Sequence, residues 1–235
     1  MDIITNQKNM ENKPEQKMAN VLIGIPSMGS INSALATILI KMAKEVKGAH
    51  IGFYFPLKVS PVERARNEVV KFLMAERKNK KTGEPVMPFT HLFFIDSDTI
   101  PPADALERLL AHDKDIVSGL TPILHYDREK MAWGTLDNCF THEEVDEKDG
   151  KTRTHSVERN TGMHKIWRAG TSCLLIKKEV FEKLAKPYFK FEFDEDLLRP
   201  VRSEDLYFCD KAHEAGFEIW CDSSVICNHS KEVIM

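Results

Sequence analysis

The chain has 235 residues, of which 42% are hydrophobic and 29% charged, the balance of a folded globular domain rather than a disordered or fibrous chain. With 33 Lys and Arg against 36 Asp and Glu the net charge is -3, which argues against a nucleic-acid-backbone binder as the default reading. The apolar run at 34–40 is cut by Lys41 and Lys44, well short of the ~20 residues that span a bilayer, so no membrane span is expected.

Residues 1–19 are polar, carry Glu11, Lys13, Pro14, Glu15 and Lys17, and lack the apolar centre of a signal peptide; they read as a disordered leader. Residues 20–235 then read as a single domain. The five cysteines are odd in number and form no C-x-x-C pair, which argues against a disulfide framework and a zinc knuckle. A reducing, cytoplasmic setting is the expectation.

Residues 20–26 (NVLIGIP) are a short apolar run closed by proline, the pattern of a buried strand. Ile31, Leu35, Ile38, Leu39 and Met42 then recur at helical spacing over 30–46, with Ser30 placed to cap the helix and Gly48 to end it. A strand at 50–55 and a helix at 61–77 repeat the unit. After a basic loop at 78–88, HLFFI at 91–95 reads as a central strand buried on both faces. Pro101 and Pro102 precede a third helix at 103–112, and DIVSGL at 115–120 is a further strand. Three strand-and-helix units in succession predict an α/β sandwich with a largely parallel, doubly wound sheet. The second half is less regular, with strand-like pieces at 121–126 and 131–136 and a charged excursion at 141–160 expected to be mobile. An apolar strand within 167–177, helices at 178–185 and 203–215, and a strand at 218–222 complete the pattern.

The chemistry concentrates at Asp96-Ser97-Asp98, directly after HLFFI, because ligands of open α/β sheets bind at strand ends. Two carboxylates two positions apart can hold a Mg2+ or Mn2+ that also binds substrate phosphates; alternatively Asp98 or Thr99 simply caps the following helix. Glu204 and Asp205 open the helix at 203–215, either as ordinary first-turn acids behind a Ser203 cap or as a general base facing a cleft. His229, just past the last strand, is either a surface residue or a nitrogen ligand for a divalent ion. Arg64, Arg66 and Asn67 stand near the start of the second helix, where a guanidinium can pair with phosphate or merely face solvent.

Taken in order, the GIPS strand end, the ARN segment, the apolar strand into DSD, the AGTSCLLIKKEVFEKL stretch and SEDLYFCDKAHEAGFEIWCDSSVICNH resemble a family 2-type glycosyltransferase of the GT-A fold. The resemblance spans about residues 21–229 and is closest to compact single-domain bacterial and phage versions. It implies a nucleotide-diphospho-sugar transferase fold, a mostly parallel Rossmann-like sheet sandwiched by helices. It implies that Asp98 binds the ion, that Asp96 contacts the ribose and the ion, and that His229 completes the metal site. Pro26 and Ser27 would border the nucleoside, Arg66 and Asn67 the nucleotide or its diphosphate. Glu204 and Asp205 match the family's E-D motif, the Asp serving as base, and Trp167, Gly170 and Thr171 would shape the sugar and acceptor pocket. The implied reaction moves a sugar from a UDP- or GDP-type donor to an acceptor hydroxyl, with inversion, and uses Mn2+ or Mg2+. Two departures stand out: KAHEAG lacks the Arg that many relatives carry before Ala-Gly, and the excursion at 141–160 has no counterpart.

Two other readings compete. An apolar strand entering D-x-D is also the nucleophile motif of haloacid-dehalogenase-type phosphatases, although that pattern wants Thr or Val where this chain has Ile100 followed by Pro101. A non-catalytic nucleotide-sugar-binding relative is the second, and it has no need of a base at Asp205.

Overall fold

The alternation of side chains along HLFFI sets the layering. Leu92 and Phe94 belong to one apolar cluster, Phe93 and Ile95 to another, and all four are fully buried. Successive strand residues point to opposite faces, so a strand apolar at every position needs a packed layer on each side. Each large side chain buried in this way contributes about 1.5–3 kcal/mol.

The structure, a computed structural model, describes residues 18–127, 131–141, 144–145, 152–153, 155–196 and 199–230. In chain order its elements begin with β1 (Ala19–Gly24), α1 (Ser33–Glu45), β2 (Ala49–Tyr54), α2 (Val62–Met74), β3 (His91–Ile95), β4 (Thr99–Ile100), α3 (Ala105–Ala111) and β5 (Ile116–Leu120). The short strands β6 (Pro122–Asp127), β7 (Ala132–Asp137), β8 (Cys139–Phe140), β9 (Glu144–Val145) and β10 (Thr152–Arg153) follow. Then come β11 (Met163–Ile166), β12 (Arg168–Ala169), β13 (Cys173–Lys177), α4 (Lys178–Lys183), β14 (Glu192–Phe193), β15 (Pro200–Arg202), α5 (Glu204–Glu214), β16 (Ile219–Ile226) and β17 (Asn228–His229).

The central sheet has seven strands in the order β11-β16-β5-β13-β3-β1-β2. Strands β1, β2, β3, β5 and β16 share one direction, while β13 and β11 run against their neighbours. The fold class expected from the sequence, an α/β sandwich with a mostly parallel central sheet, is the one observed. The reversal of β13 has a local cause. The chain leaves β5 at the carboxyl end of the sheet, forms the β6–β7 hairpin, runs back along the sheet edge as β11, and returns to the carboxyl end to enter β13 with Cys173 opposite Ile95. On one face α2, α4 and α5 cover Leu22, Phe94 and Leu174; on the other α1 and α3 cover Ile23, Phe93 and Leu175.

Several boundaries differ from expectation. The cap of α1 is Asn32, whose Oδ1 accepts from the Ala34 N–H at 2.8 Å, because the helix begins at Ser33, too far along the chain for a Ser30 side chain to cap it. Asp104 occupies the cap position of α3, so neither Asp98 nor Thr99 caps it. Residues 1–17 of the expected leader lie outside the described residues, and Ala19 already belongs to β1. Within the excursion at 141–160, residues 142–143, 146–151 and 154 lie outside the described residues. Its described part holds the antiparallel β9–β10 ladder, and its end is pinned by buried Val157 and by Arg159, which donates to Asp137 at 2.7 and 2.8 Å. All five cysteines are free and buried, and among the described residues no helix is long and apolar enough to cross a membrane.

Candidate functional site

Three distant parts of the chain converge where β1 and β3 end. The Asp96 N–H donates to the Ser172 carbonyl at 3.3 Å, and the Thr99 N–H closes a turn onto Asp96 at 3.0 Å. Next to this turn β17 pairs antiparallel with β4, placing His229 opposite Thr99. The Ser230 N–H donates to the Asp98 carbonyl at 2.8 Å, and the Asn32 side chain donates to the Ser230 hydroxyl at 3.1 Å. The start of α1, the DSD turn and the last strand are thereby tied together, and His229 lies beside Asp98.

The His229–Asp98 contact has a defined chemistry. His229 Nδ1 lies 2.8 Å from the Pro122 carbonyl, which can only accept, so Nδ1 carries a proton. Nε2 then faces Asp98 Oδ2 at 3.0 Å. Either Nε2 carries a second proton and pairs with the carboxylate, or its lone pair and the carboxylate oxygen are two donor atoms aimed at one point. An oxygen and an imidazole nitrogen suit Mn2+ or Mg2+, and the fixed Nδ1–H bond is the orienting contact that metal-ligating histidines use. Among the described residues no group of three or more His, Cys, Asp or Glu forms a ready cation cage. The donor set fits an ion that takes its other ligands from phosphates and water.

Arg66 is the hub of the site. It is 4% exposed and lies 5.7 Å from the Phe94 ring centroid. Its Nε donates to Glu204 Oε1 at 3.1 Å, and its two terminal nitrogens reach Asp96 Oδ1 at 2.9 Å and Oδ2 at 3.4 Å. Burial works against the guanidinium's charge, but Asp96 and Glu204 outweigh it and hold the proton more tightly than usual. Burial is also the largest influence on Glu204; it raises that carboxyl above its ordinary value even against the pull of Arg66.

Two cavities meet at this hub. One, of about 290 Å³, is bordered by Pro26, Ser27, Val62, Arg66, Asp96 and Asp98. The other, of about 270 Å³, holds Asp205, His229, Thr121, Asn138, Gly170 and Thr171, and it shares Arg66 and Asp96 with the first. Asp205 is fixed at the first turn of α5, where its Oδ1 accepts from the Ser203 hydroxyl and from the Leu206 N–H at 2.9 Å. The floor of the second cavity is built on Asn138. Its Oδ1 accepts from the Thr121 N–H at 2.9 Å and its Nδ2 donates to the Ser172 hydroxyl at 3.0 Å. A Cβ on residue 170 would come within 2.7 Å of that Nδ2, which explains the glycine there.

Of the residues singled out from sequence, Pro26, Ser27, Arg66, Asp96, Asp98, Gly170, Thr171, Asp205 and His229 therefore border this double cavity. Three do not. Asn67 donates to the Glu63 and Phe189 carbonyls, both at 2.7 Å, and accepts from the Tyr188 and Phe189 N–H groups, so its side chain pins the 188–189 segment to α2. Glu204 is 6% exposed and sits behind Arg66 rather than in a cavity. Trp167 stacks on His213 at 4.1 Å and borders a separate cavity with Phe217 and Glu218. Asp96, expected on the ion, has both oxygens turned to Arg66. Thr121 and Asn138 were missed because they lie in the irregular segment after β5; the only local signal was the Thr121-Pro122 break after a fully buried strand.

No family model matches the sequence, and no curated protein matches it. Among solved structures the chain is similar to A197 from STIV, with 19% identity, 92% of this chain and 87% of that chain covered, and a TM-score of 0.55. It is also similar to GalNAc-T7 with UDP, GalNAc and Mn2+, at 10% identity and a TM-score of 0.46, covering 92% of this chain and 43% of that one. At 19% identity the likeness to A197 is one of fold.

Proposed function

We propose that the chain is a divalent-metal-dependent glycosyltransferase that moves a sugar from a UDP- or GDP-type donor to an acceptor hydroxyl with inversion. The observation that carries the reading is the meeting of two cavities at Asp96 and Arg66, one bordered by Asp98 and the other holding both its partner His229 and Asp205. Asp205 and the candidate cation site thus border two neighbouring cavities that share Arg66 and Asp96.

In this reading the first cavity takes the nucleoside, against Pro26 and Ser27, and its diphosphate lies toward the start of α2, which has no side-chain cap. Asp98 and His229 would hold Mn2+ or Mg2+, and the bound ion supplies charge stabilisation to the leaving diphosphate. Arg66 holds Asp96 in one orientation, ready to accept from a ribose hydroxyl. Asp205, which borders the second cavity and is held through its Oδ1, takes the proton from the acceptor hydroxyl as it attacks the anomeric carbon. The phosphatase reading needs Asp96 free to attack phosphorus, whereas both of its oxygens face a guanidinium.

The test is calorimetric titration of UDP and GDP with Mn2+, repeated with EDTA and on Asp98→Ala, followed by measurement of nucleoside diphosphate release from nucleotide sugars. Metal-dependent binding of one nucleotide, lost in the variant, is the expected result. No nucleotide binding under any condition would sink the reading, and binding without release would indicate a non-catalytic relative.

A further inference from the structure

Asn32 has all four of its polar atoms engaged, and the bonds lead to the neighbours of both candidate cation ligands. Its N–H donates to the Ser97 carbonyl at 3.1 Å, and its carbonyl accepts from the Ala36 N–H at 3.0 Å. Its Oδ1 accepts from the Ala34 N–H at 2.8 Å, and its Nδ2 donates to the Ser230 hydroxyl at 3.1 Å. The Ala34 N–H can only donate, so the amide oxygen must face it and the amide nitrogen is left for Ser230. Ser97 directly precedes Asp98, and Ser230 directly follows His229. Because the Ser230 N–H donates to the Asp98 carbonyl at 2.8 Å, residues 32, 97–98 and 230 close a ring of hydrogen bonds around the backbone that carries the pair.

Strands β4 and β17 are only two residues long each, and a ladder that short needs support from outside itself. The start of α1 supplies it, since α1 is anchored in the core by Leu35, Leu39 and Met42. We infer that Asn32 is the positioning residue of the candidate cation pair: through Ser97 and Ser230 it fixes the backbone on which Asp98 and His229 stand, without being a ligand itself. The inference rests on the cation site of the proposed glycosyltransferase and adds the residue that presets it. An ion gains affinity when its ligands are held in place beforehand, and contacts behind the ligands account for about 10–100-fold of it. A plain helix cap, the alternative role, needs only Oδ1 and has no use for Ser230. The two roles use different atoms of Asn32, so substitutions separate them.

The experiment titrates Mn2+ into wild type, Asn32→Ser, Asn32→Ala, Ser230→Ala and Ser230→Thr, alone and with UDP or GDP, and reads free Mn2+ by electron paramagnetic resonance. Asn32→Ser keeps a capping oxygen on a side chain too short to reach residue 230, and Ser230→Ala removes the same bond from the other side with the cap intact. Both are expected to bind Mn2+ about 10-fold more weakly than wild type, the lower end of what contacts behind a ligand contribute. Both should melt within about 2 °C of wild type, because water can replace a partner at these half-buried positions. Asn32→Ala should lose the same affinity and melt about 2–4 °C lower still, the effect of a lost cap in a chain of this size. Ser230→Thr retains the hydroxyl and should bind as wild type does. Affinity lost only in Asn32→Ala, in step with its melting temperature, would reduce Asn32 to a helix cap and overturn the inference. Mn2+ held equally by wild type, Asn32→Ser and Ser230→Ala would overturn it too, while leaving the cation site standing. If wild type holds no Mn2+, with or without nucleotide, the cation site of the proposed function falls and takes this inference with it.

Discussion

Replacing Arg66 by methionine keeps an unbranched side chain on α2 while removing the charge between Glu204 and Asp96. Glu204 has a side chain 7% exposed and loses its 3.1 Å partner, while Asp96, at 29%, can still turn to water. The loss is therefore concentrated at one buried carboxylate, where breaking a pair by removing one partner costs about 3–5 kcal/mol. With an unfolding entropy near 2.1 cal/mol/K per residue, a chain of 235 residues melts about 6–10 °C lower. The pH dependence gives a second, sharper readout. Burial already raises the Glu204 carboxyl above its ordinary 4.5, so the folded state holds this proton more tightly than the unfolded chain. The stabilising contribution is complete below about that value and declines as pH rises through the window above it. Arg66 is the leading influence lowering this pKa, so in Arg66→Met the window extends to higher pH and the decline is larger. Urea unfolding between pH 4 and 8 measures both effects, and Glu204→Gln in the Arg66→Met background should restore part of the loss by removing the orphaned charge. A loss below about 1 kcal/mol at pH 7, or an unchanged pH slope, would refute the account of Arg66 as the counter-charge that makes Glu204 tolerable.

Asp205→Asn is expected to lower transfer by about 10²–10⁴-fold while nucleotide affinity stays unchanged; normal turnover would show that Asp205 is not the base. Asn67→Ala should cost about 2–4 kcal/mol in chemical unfolding, because four backbone partners lose their bonds, and should leave nucleotide affinity at the wild-type value. A large affinity loss in a stable Asn67→Ala protein would return that residue to the binding site. The His91 imidazole is lowered to about 4, first by burial and then by the Lys177 cation, with Asp113 opposing. The folded state therefore resists protonation, and stability complete above the ordinary 6.5 is lost as pH falls from there toward 4. His91→Gln should flatten that part of the acid limb, and an unaltered profile would count against a half-buried neutral His91.

Much of the fold was legible because its signals are local. HLFFI is apolar at every position after His91 and had to be a strand covered on both faces, and Leu35, Leu39 and Met42 recur at the spacing of one helical face. The D-x-D pair after such a strand and the acids at the start of α5 were visible for the same reason: strand ends and helix starts are places the chain announces in a few residues. Spacing alone could not say which neighbour faces inward. Arg66 and Asn67 are adjacent, yet about 100° apart around α2, so one enters the cleft and the other pins the 188–189 segment. Nor could it orient Trp167, whose stacking on His213 depends on how α5 docks. Strand β13 is reversed because the chain re-enters from the carboxyl end of the sheet, a choice made by the β6–β7 hairpin and the segment beyond it. The same detour brings Thr121, Asn138 and Thr171 to one cavity, and the β4–β17 pairing brings His229 to Asp98 across 131 residues of chain. By itself the sequence determined the layers, the strand ends and the acids that stand on them. The tertiary structure alone decided which side chains meet, because contacts between distant segments depend on how whole elements pack and not on the few residues that form each one.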